Sequence, residues 1–142
     1  MPPSTLSDLW LQKLADSGYR ITPPMRALVA ILAESRRALG PVELYDLGRR
    51  QHPRLGLVTV YRTLEKLEEL GLVQRIHQAN GCHGYLRAAE GHTHILLCTT
   101  CGRVAYFQGD DLSALIDSVA RQSGFTITEH WLQLHGLCED CK

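Results

Sequence analysis

A chain of 142 residues, 44% of them hydrophobic, has enough apolar sequence to bury one core or two small ones, which excludes a disordered protein. No apolar run approaches the roughly 20 residues of a membrane-spanning helix, and the N-terminus lacks a secretory pattern, so we expect a cytoplasmic protein with no membrane partner. The net charge of zero is uneven: residues 1–77 have 11 Lys and Arg against 8 Asp and Glu, a mildly basic balance that suits DNA or an ordinary solvated surface.

Four successive segments in the first half repeat apolar residues at helical spacing. The predicted helices are residues 6–15, 24–34, 41–51 and 58–70. Boundary signals support these limits, because Thr22 precedes two prolines, Gly40 precedes Pro41, and Gly71 follows the fourth segment. The first half is therefore predicted to be a stack of short helices.

After the fourth helix the pattern changes to one typical of a β-hairpin. Residues 72–77 alternate, Asn80 and Gly81 form a turn signal, and residues 85–87 provide the second strand. Helices followed by a hairpin in this order are typical of a winged-helix domain, whose last helix enters the DNA major groove. The polar face of that helix, which includes Thr59, offers hydrogen-bonding groups of suitable reach, although a solvated face with internal ion pairs has the same pattern.

Five cysteines in a reducing compartment are better candidates for metal ligands than for disulfides. Four of them form two CxxC pairs, Cys98 with Cys101 and Cys138 with Cys141. Two such pairs supply the tetrahedral sulfur set of a structural zinc site with no open coordination position. The alternative is a redox pair or four unrelated buried thiols.

The sequence between the two CxxC pairs predicts a compact α/β unit. The predicted strands are residues 94–97, 104–107 and 125–135. A helix precedes the last of them, opened by Asp110 and Asp111, whose charges suit a helix N-terminus, and ended by Gly124. A zinc ion would tie the end of the chain to the first two strands, so we expect its loss to loosen this unit.

The order of these parts resembles the ferric uptake regulator family of bacterial metal-responsive repressors. The matching stretches are GYRITP at 18–23, GLVTVYRTL at 56–64, LGLV at 70–73, the His-rich run into CTTCG at 98–102, GF at 124–125, His130, and GLCEDC at 136–141. They cover nearly the whole chain. The TVYR helix followed by two CxxC pairs is a specific combination.

This resemblance implies an α+β protein with two domains. The first, residues 1–86, would be a winged-helix DNA-binding domain with a hinge at its end, and the second, 87–142, a metal-binding dimerisation domain with a three-stranded sheet and one long helix. By position, Tyr61 and Arg62 match the family's recognition-helix contacts, and Arg20 matches its minor-groove or phosphate contact. The implied partners are a double-stranded DNA operator and a second copy of the chain.

The histidines indicate a second, exchangeable metal site. His92 and His94 alternate along a predicted strand and so face the same way, which allows them to chelate one ion. Two arrangements are open: a hinge site with His77, Cys82 and His83, or a site within the dimerisation domain with His130 and an acid such as Asp110 or Asp111. His52 and His135 have no such neighbours and are interpreted as surface or packing residues.

Zinc, iron and manganese sensors of this family share one fold, so the ligands must decide the metal. Imidazole with a thiol favours zinc, whereas manganese and much iron chemistry prefer carboxylate oxygen. Tyr106 stands where the family often has an acid and Ala38 where it has a histidine, which disfavours an iron or peroxide sensor. The closest resemblance is to the zinc uptake regulator branch, which implies structural and regulatory zinc.

The function predicted is a zinc-sensing repressor that binds palindromic operators of zinc-uptake genes, with an iron-, manganese- or peroxide-sensing repressor as the alternative. A zinc hydrolase or deaminase is disfavoured, because those enzymes need an open zinc position and a nearby carboxylate base. Here the run is His92-Thr93-His94, no proline precedes Cys98, and four cysteines would close the site. We therefore expect that the protein is not an enzyme.

Overall fold

The computed structural model describes residues 5–77, 82–88, 93–109 and 112–142. The chain divides into two compact units, unit 1 at Met1–Ala88 and unit 2 at Ala89–Lys142. Unit 1 is mainly helical with a small sheet, and unit 2 has a sheet and one helix. The predicted α+β class is confirmed. None of the helices in the described ranges is long and apolar enough to cross a membrane.

Unit 1 contains the four helices that the sequence predicts. They are α1 (Leu6–Asp16), α2 (Pro23–Glu34), α3 (Pro41–Arg49) and α4 (Leu57–Glu69). Side-chain caps fix two of the starts, since Thr5 accepts a hydrogen bond from the Asp8 N–H and Thr22 accepts one from the Met25 N–H. After α4 the chain turns at Gly71, whose φ of 71° favours glycine.

The core of unit 1 lies where the apolar faces of its helices meet. Its most deeply buried leucines include Leu14, Leu28, Leu32, Leu44 and Leu67. Each such side chain contributes roughly 1.5–3 kcal/mol when removed from water. Because α4 buries one face in this core, its opposite face stays exposed.

Two strands form the predicted hairpin, the wing of unit 1. β1 (Val73–His77) pairs antiparallel with β2 (His83–Arg87), and the register sets His77 opposite His83. Leu39 adds a bridge to this sheet, because its N–H and carbonyl each pair with Tyr85 at 2.9 Å. The predicted turn at Asn80 and Gly81 lies outside the described residues. The helices and this sheet together form the winged-helix fold.

Unit 2 has a three-stranded sheet with the order β4-β3-β5. Its elements are β3 (Thr93–Cys98), β4 (Val104–Gln108), α5 (Ser113–Ser123) and β5 (Gln133–Gly136). β3 pairs antiparallel with β4 and parallel with β5. The predicted helix end at Gly124 is confirmed by its left-handed φ of 74°. The helix starts at Ser113, and the predicted openers Asp110 and Asp111 lie outside the described residues.

The prediction of a strand over residues 125–135 is wrong in its extent. Only Gln133–Gly136 pairs with β3, because the ladder covers no more than the segment from Ile95 to Cys98. Apolar residues before it are exposed, with Phe125 at 72% and Trp131 at 86%. Their alternation reflects an extended segment with unburied apolar side chains.

Candidate metal centre and nucleic-acid interface

Two turns bring the four paired cysteines together. The Sγ atoms of Cys98, Cys101, Cys138 and Cys141 all lie within 4.8 Å of one another. Cys98 ends β3, and its carbonyl accepts a hydrogen bond from the Gly102 N–H, with Gly102 at a φ of 77°. Parallel pairing sets Gly136 beside Cys98, so the second turn begins next to the first. The register of β5 against β3 therefore assembles the cluster.

Four thiols at this distance suit a bound metal ion better than they suit disulfide bonds. The Cys138 N–H donates to Cys98 Sγ at 3.3 Å, and backbone donors at Cys101 and Cys138 lower the pKa of Cys98 to about 6. Hydrogen bonding to the Cys138 thiol raises the pKa of Cys141 to about 12. Metal ligation requires thiolates, so a bound cation would favour loss of the protons that these thiols share.

One pair of sulfurs has the spacing expected of a closed tetrahedral site. With metal–sulfur bonds of about 2.3 Å, tetrahedral geometry places neighbouring sulfurs roughly 3.8 Å apart. The Cys101 and Cys138 Sγ atoms lie 3.7 Å apart. Four protein sulfurs leave no coordination position for water, so the geometry suits a structural ion and not a catalytic one.

Two contacts between the cysteine turns were not predicted from the sequence. Arg103 forms an ion pair with Asp140 at 2.7 Å, and both the N–H and the hydroxyl of Thr99 donate to the Gly136 carbonyl. The sequence did contain a signal, a basic residue after the first pair and an acid inside the second. The ion pair is exposed, so solvent screens it and it adds little to stability.

The predicted sensing residues form one imidazole pair in each unit. In unit 1 the exposed rings of His77 and His83 have centres 4.8 Å apart, and the exposed Cys82 directly precedes β2. In unit 2 the ring of His94, which is 6% exposed, lies 6.4 Å from that of the exposed His130. Among the described residues neither pair has a third ligand close enough to form a cluster of three.

The remaining residues are three candidate ligands and the two histidines that were interpreted as surface or packing residues. His92, Asp110 and Asp111 lie outside the described residues. His52 is half-buried and His135 is exposed on β5. Neither belongs to a group of three possible ligands within the described ranges.

The outer face of α4 presents two of the predicted DNA contacts. Tyr61 is 46% exposed and Arg62 is exposed beside it, whereas Val60, Thr63, Leu64 and Leu67 are buried. Thr59 is half-buried, and its carbonyl accepts a hydrogen bond from the Thr63 hydroxyl at 2.8 Å. Arg20 is exposed on the loop between α1 and α2.

Comparison with known proteins identifies the family. The model of the ferric uptake regulator family matches residues 16–135. The chain belongs to this family. It is therefore a metal-responsive transcriptional regulator and not an enzyme.

The relatives of this regulator include sensors named for different metals. The ferric uptake regulation protein of Bacillus subtilis strain 168 is 36% identical over 134 residues, which cover 92% of this chain and 90% of that protein. The zinc uptake regulation protein of Mycobacterium tuberculosis strain H37Rv is 33% identical over 129 residues, with 91% and 99% covered. A solved zinc uptake regulator complexed with zinc and DNA is 25% identical, with 96% and 95% covered and a TM-score of 0.73.

Replacing one clustered cysteine is expected to lower both metal content and stability. Cys98→Ser removes one sulfur of the four, so we expect bound zinc in the purified protein to fall by about one ion per chain and the thermal unfolding midpoint to drop by several degrees. Elemental analysis and calorimetry measure these changes. The matched control is Cys82→Ser, which lies outside the cluster and should keep the wild-type unfolding midpoint. Equal zinc content in wild type and Cys98→Ser would contradict the assignment.

Proposed function

We propose that this regulator is a zinc-sensing repressor that binds palindromic operators of zinc-uptake genes when zinc is bound. The main support is that two imidazole pairs exist in addition to a closed four-sulfur cluster. A protein that needed only a structural ion would have no use for them. Zinc in the sulfur cluster would hold unit 2 in shape, and a second zinc on imidazoles would report the metal supply.

The donor chemistry supports zinc as the sensed metal. Two imidazoles on one zinc ion, each bonded at about 2.0–2.1 Å, have ring centres roughly 5 Å apart. The His77–His83 separation of 4.8 Å already suits this geometry, and the 6.4 Å between His94 and His130 needs a shift of about 1 Å. The thiol of Cys82 follows β1 and precedes His83, so the wing also offers sulfur, a donor that manganese does not favour.

The iron-sensing alternative rests on the named relatives. The Bacillus subtilis protein named for ferric uptake is 36% identical to this chain, and the Mycobacterium tuberculosis protein named for zinc uptake is 33% identical. This difference is too small to choose a metal. Ligand chemistry therefore carries the proposal for zinc.

Binding to DNA is supported by the exposed face of α4. A recognition helix reads base edges with residues of its outer face, where an arginine binds guanine and an apolar surface meets the thymine methyl group. Arg62 and the ring of Tyr61 suit these two roles, and the cation of Arg20 suits a phosphate or a narrow minor groove. A solved zinc uptake regulator that is 25% identical to this chain is complexed with DNA, which supports DNA as the partner.

A homodimer is supported by unit 2. The helix α5 buries none of its residues within the described chain, and Leu115 and Val119, one turn apart on it, are 59% and 43% exposed. Phe125 and Trp131 add further exposed apolar surface. Apolar surface of this extent is typical of an interface, and a second copy related by twofold symmetry would match a palindromic operator.

Metal would act by selecting one conformation. Ligand binding favours DNA binding only if the ion binds the DNA-competent conformation more tightly than the others. Reciprocally, DNA should raise the zinc affinity of the imidazole site by the same factor. This linkage distinguishes a sensing ion from the structural ion.

Zinc at sub-nanomolar free concentration should switch on operator binding, whereas ferrous and manganous ions at physiological free levels should not. The operator duplex is first selected from a random-sequence pool with the fully zinc-loaded protein, and anisotropy then measures affinity across metal-buffered series. The physical reason is the nitrogen and sulfur donor set. Equal activation by ferrous ion would end the zinc assignment while leaving the family assignment intact.

Loss of one imidazole should remove the metal response without unfolding the protein. We expect His94→Ala and His130→Ala to raise the free zinc needed for half-maximal operator binding by tenfold or more, since even residues behind the ligands change affinity by about 10–100-fold. His135→Ala, an exposed histidine of the same unit, is the control. A full response in both variants would show that these two imidazoles do not bind the sensed ion, and unfolding of His94→Ala would contradict the division of roles.

The two kinds of DNA contact should be separable by substitution. Tyr61→Ala should reduce discrimination between operator and unrelated duplex by about 1–3 kcal/mol, because it removes a base contact. Arg20→Ala should weaken both complexes alike and flatten their salt dependence, because it removes a phosphate contact. Binding isotherms at several salt concentrations measure both effects. Unchanged affinities in both variants would count against this docking.

A further inference from the structure

The side chain of Tyr19 attaches the loop that contains Arg20 to the end of α4. The hydroxyl of Tyr19 donates to Glu69 Oε2 at 3.0 Å, across 50 residues of sequence. The Lys66 Nζ lies 5.1 Å from the centre of the Tyr19 ring, within the range of a cation–π contact. Tyr19 therefore contacts two side chains on the last turns of α4.

Both ends of this loop are also fixed by backbone geometry. At its start the N–H groups of Gly18 and Tyr19 donate to the carbonyls of α1, and Gly18 has a φ of 89° that favours glycine. At its end Thr22 caps α2. Ile21 packs against the core of unit 1. Arg20 thus stands between two anchored side chains and is itself exposed.

The anchored loop holds a cation next to a helix that faces DNA. Among the residues that the structure describes, Arg20 is in none of the ion pairs, so its charge is available to an external anion. The Tyr19 hydroxyl is protonated at physiological pH and can donate, and the hydrogen bond to Glu69 raises its pKa further. A long flexible cation gains affinity for a phosphate when the backbone that carries it is held in place beforehand.

We propose that Tyr19 is a positioning residue for DNA binding: its hydrogen bond to Glu69 holds the loop so that Arg20 reaches the DNA backbone while α4 lies in the groove. This rests on the proposed function, since Arg20 must contact DNA. Tyr19 itself need not touch the duplex. Tyr19 affects DNA affinity by holding Arg20 in position.

The groove beside Tyr19 is lined by two neighbouring glutamates whose substitutions can be compared. Its volume is about 540 Å³, and its lining includes Glu68 and Glu69, neighbours near the end of α4. Glu68 pairs with Arg75 on β1 at 3.1 Å, whereas Glu69 pairs with Tyr19 on the loop. Replacing either acid removes the same charge from the same helix end, but only Glu69 holds the Arg20 loop.

The experiment measures the affinity of the full-length zinc-loaded protein for its selected operator at several salt concentrations. Tyr19→Phe keeps the ring and its packing and removes only the hydroxyl. We expect Tyr19→Phe and Glu69→Ala to weaken binding about three- to tenfold and to flatten the salt dependence, as the loss of one hydrogen bond implies. Glu68→Ala should not weaken binding. Glu69→Gln keeps an oxygen that accepts the hydrogen bond and should restore most of the affinity.

A double-mutant cycle tests the route through Arg20. On an Arg20→Ala background, Tyr19→Phe should cause no further loss, because residues that act through one contact are not additive. Additive losses, unchanged binding by Tyr19→Phe, or equal effects of Glu68→Ala and Glu69→Ala would overturn the positioning role. If Arg20→Ala alone changes neither affinity nor salt dependence, the proposed DNA contact of Arg20 fails as well, so the two failures can be told apart.

Discussion

The four-sulfur cluster joins the end of β3 to the last residues of the chain, and we propose that unit 2 depends on it. Among its described residues this unit buries only Ile95, Leu97, Cys98 and His94, far fewer side chains than unit 1. The ladder that brings the chain end back to β3 is four residues long. An apolar core this small does not stabilise a domain alone, and such domains usually need a metal or a second copy. We propose that the sulfur cluster and the exposed apolar face of α5 meet these two needs separately.

Unit 1 differs from unit 2, because its stability comes from a packed apolar core. Its outer surface stays exposed and available for binding. The buried leucines of four helices form one continuous core, and the wing joins it through Tyr85 and the bridge at Leu39. Because α4 is held from one side only, Tyr61 and Arg62 remain exposed. The side chains on that outer face can therefore serve recognition at little cost to the core.

The cysteine cluster and the imidazole pairs are two sets of candidate metal ligands. They differ in how permanently they would hold an ion, as a metal-responsive regulator requires. The cysteine sulfurs lie close together and would exclude water from an ion bound among them, which suits an ion that is held permanently. Each imidazole pair has only two members within the described residues, and three of the four rings are exposed. An ion bound by exposed imidazoles is accessible to water, so it would exchange and depend on conformation. That contrast is the physical basis for proposing one structural and one sensed zinc.

The sequence alone determined the local and chemically specific features, and the tertiary structure decided how distant segments meet. Helical periodicity, capping threonines and the two CxxC pairs predicted α1 to α4 and the sulfur ligands, because each signal lies within a few residues. The extent of β5 was missed, since alternation reports an extended segment but not the length of its partner. Two other distances could not be predicted, because each joins residues far apart in the sequence. His94 and His130 are separated by 36 residues, and Tyr19 and Glu69 by 50, a range over which local sequence patterns give no information.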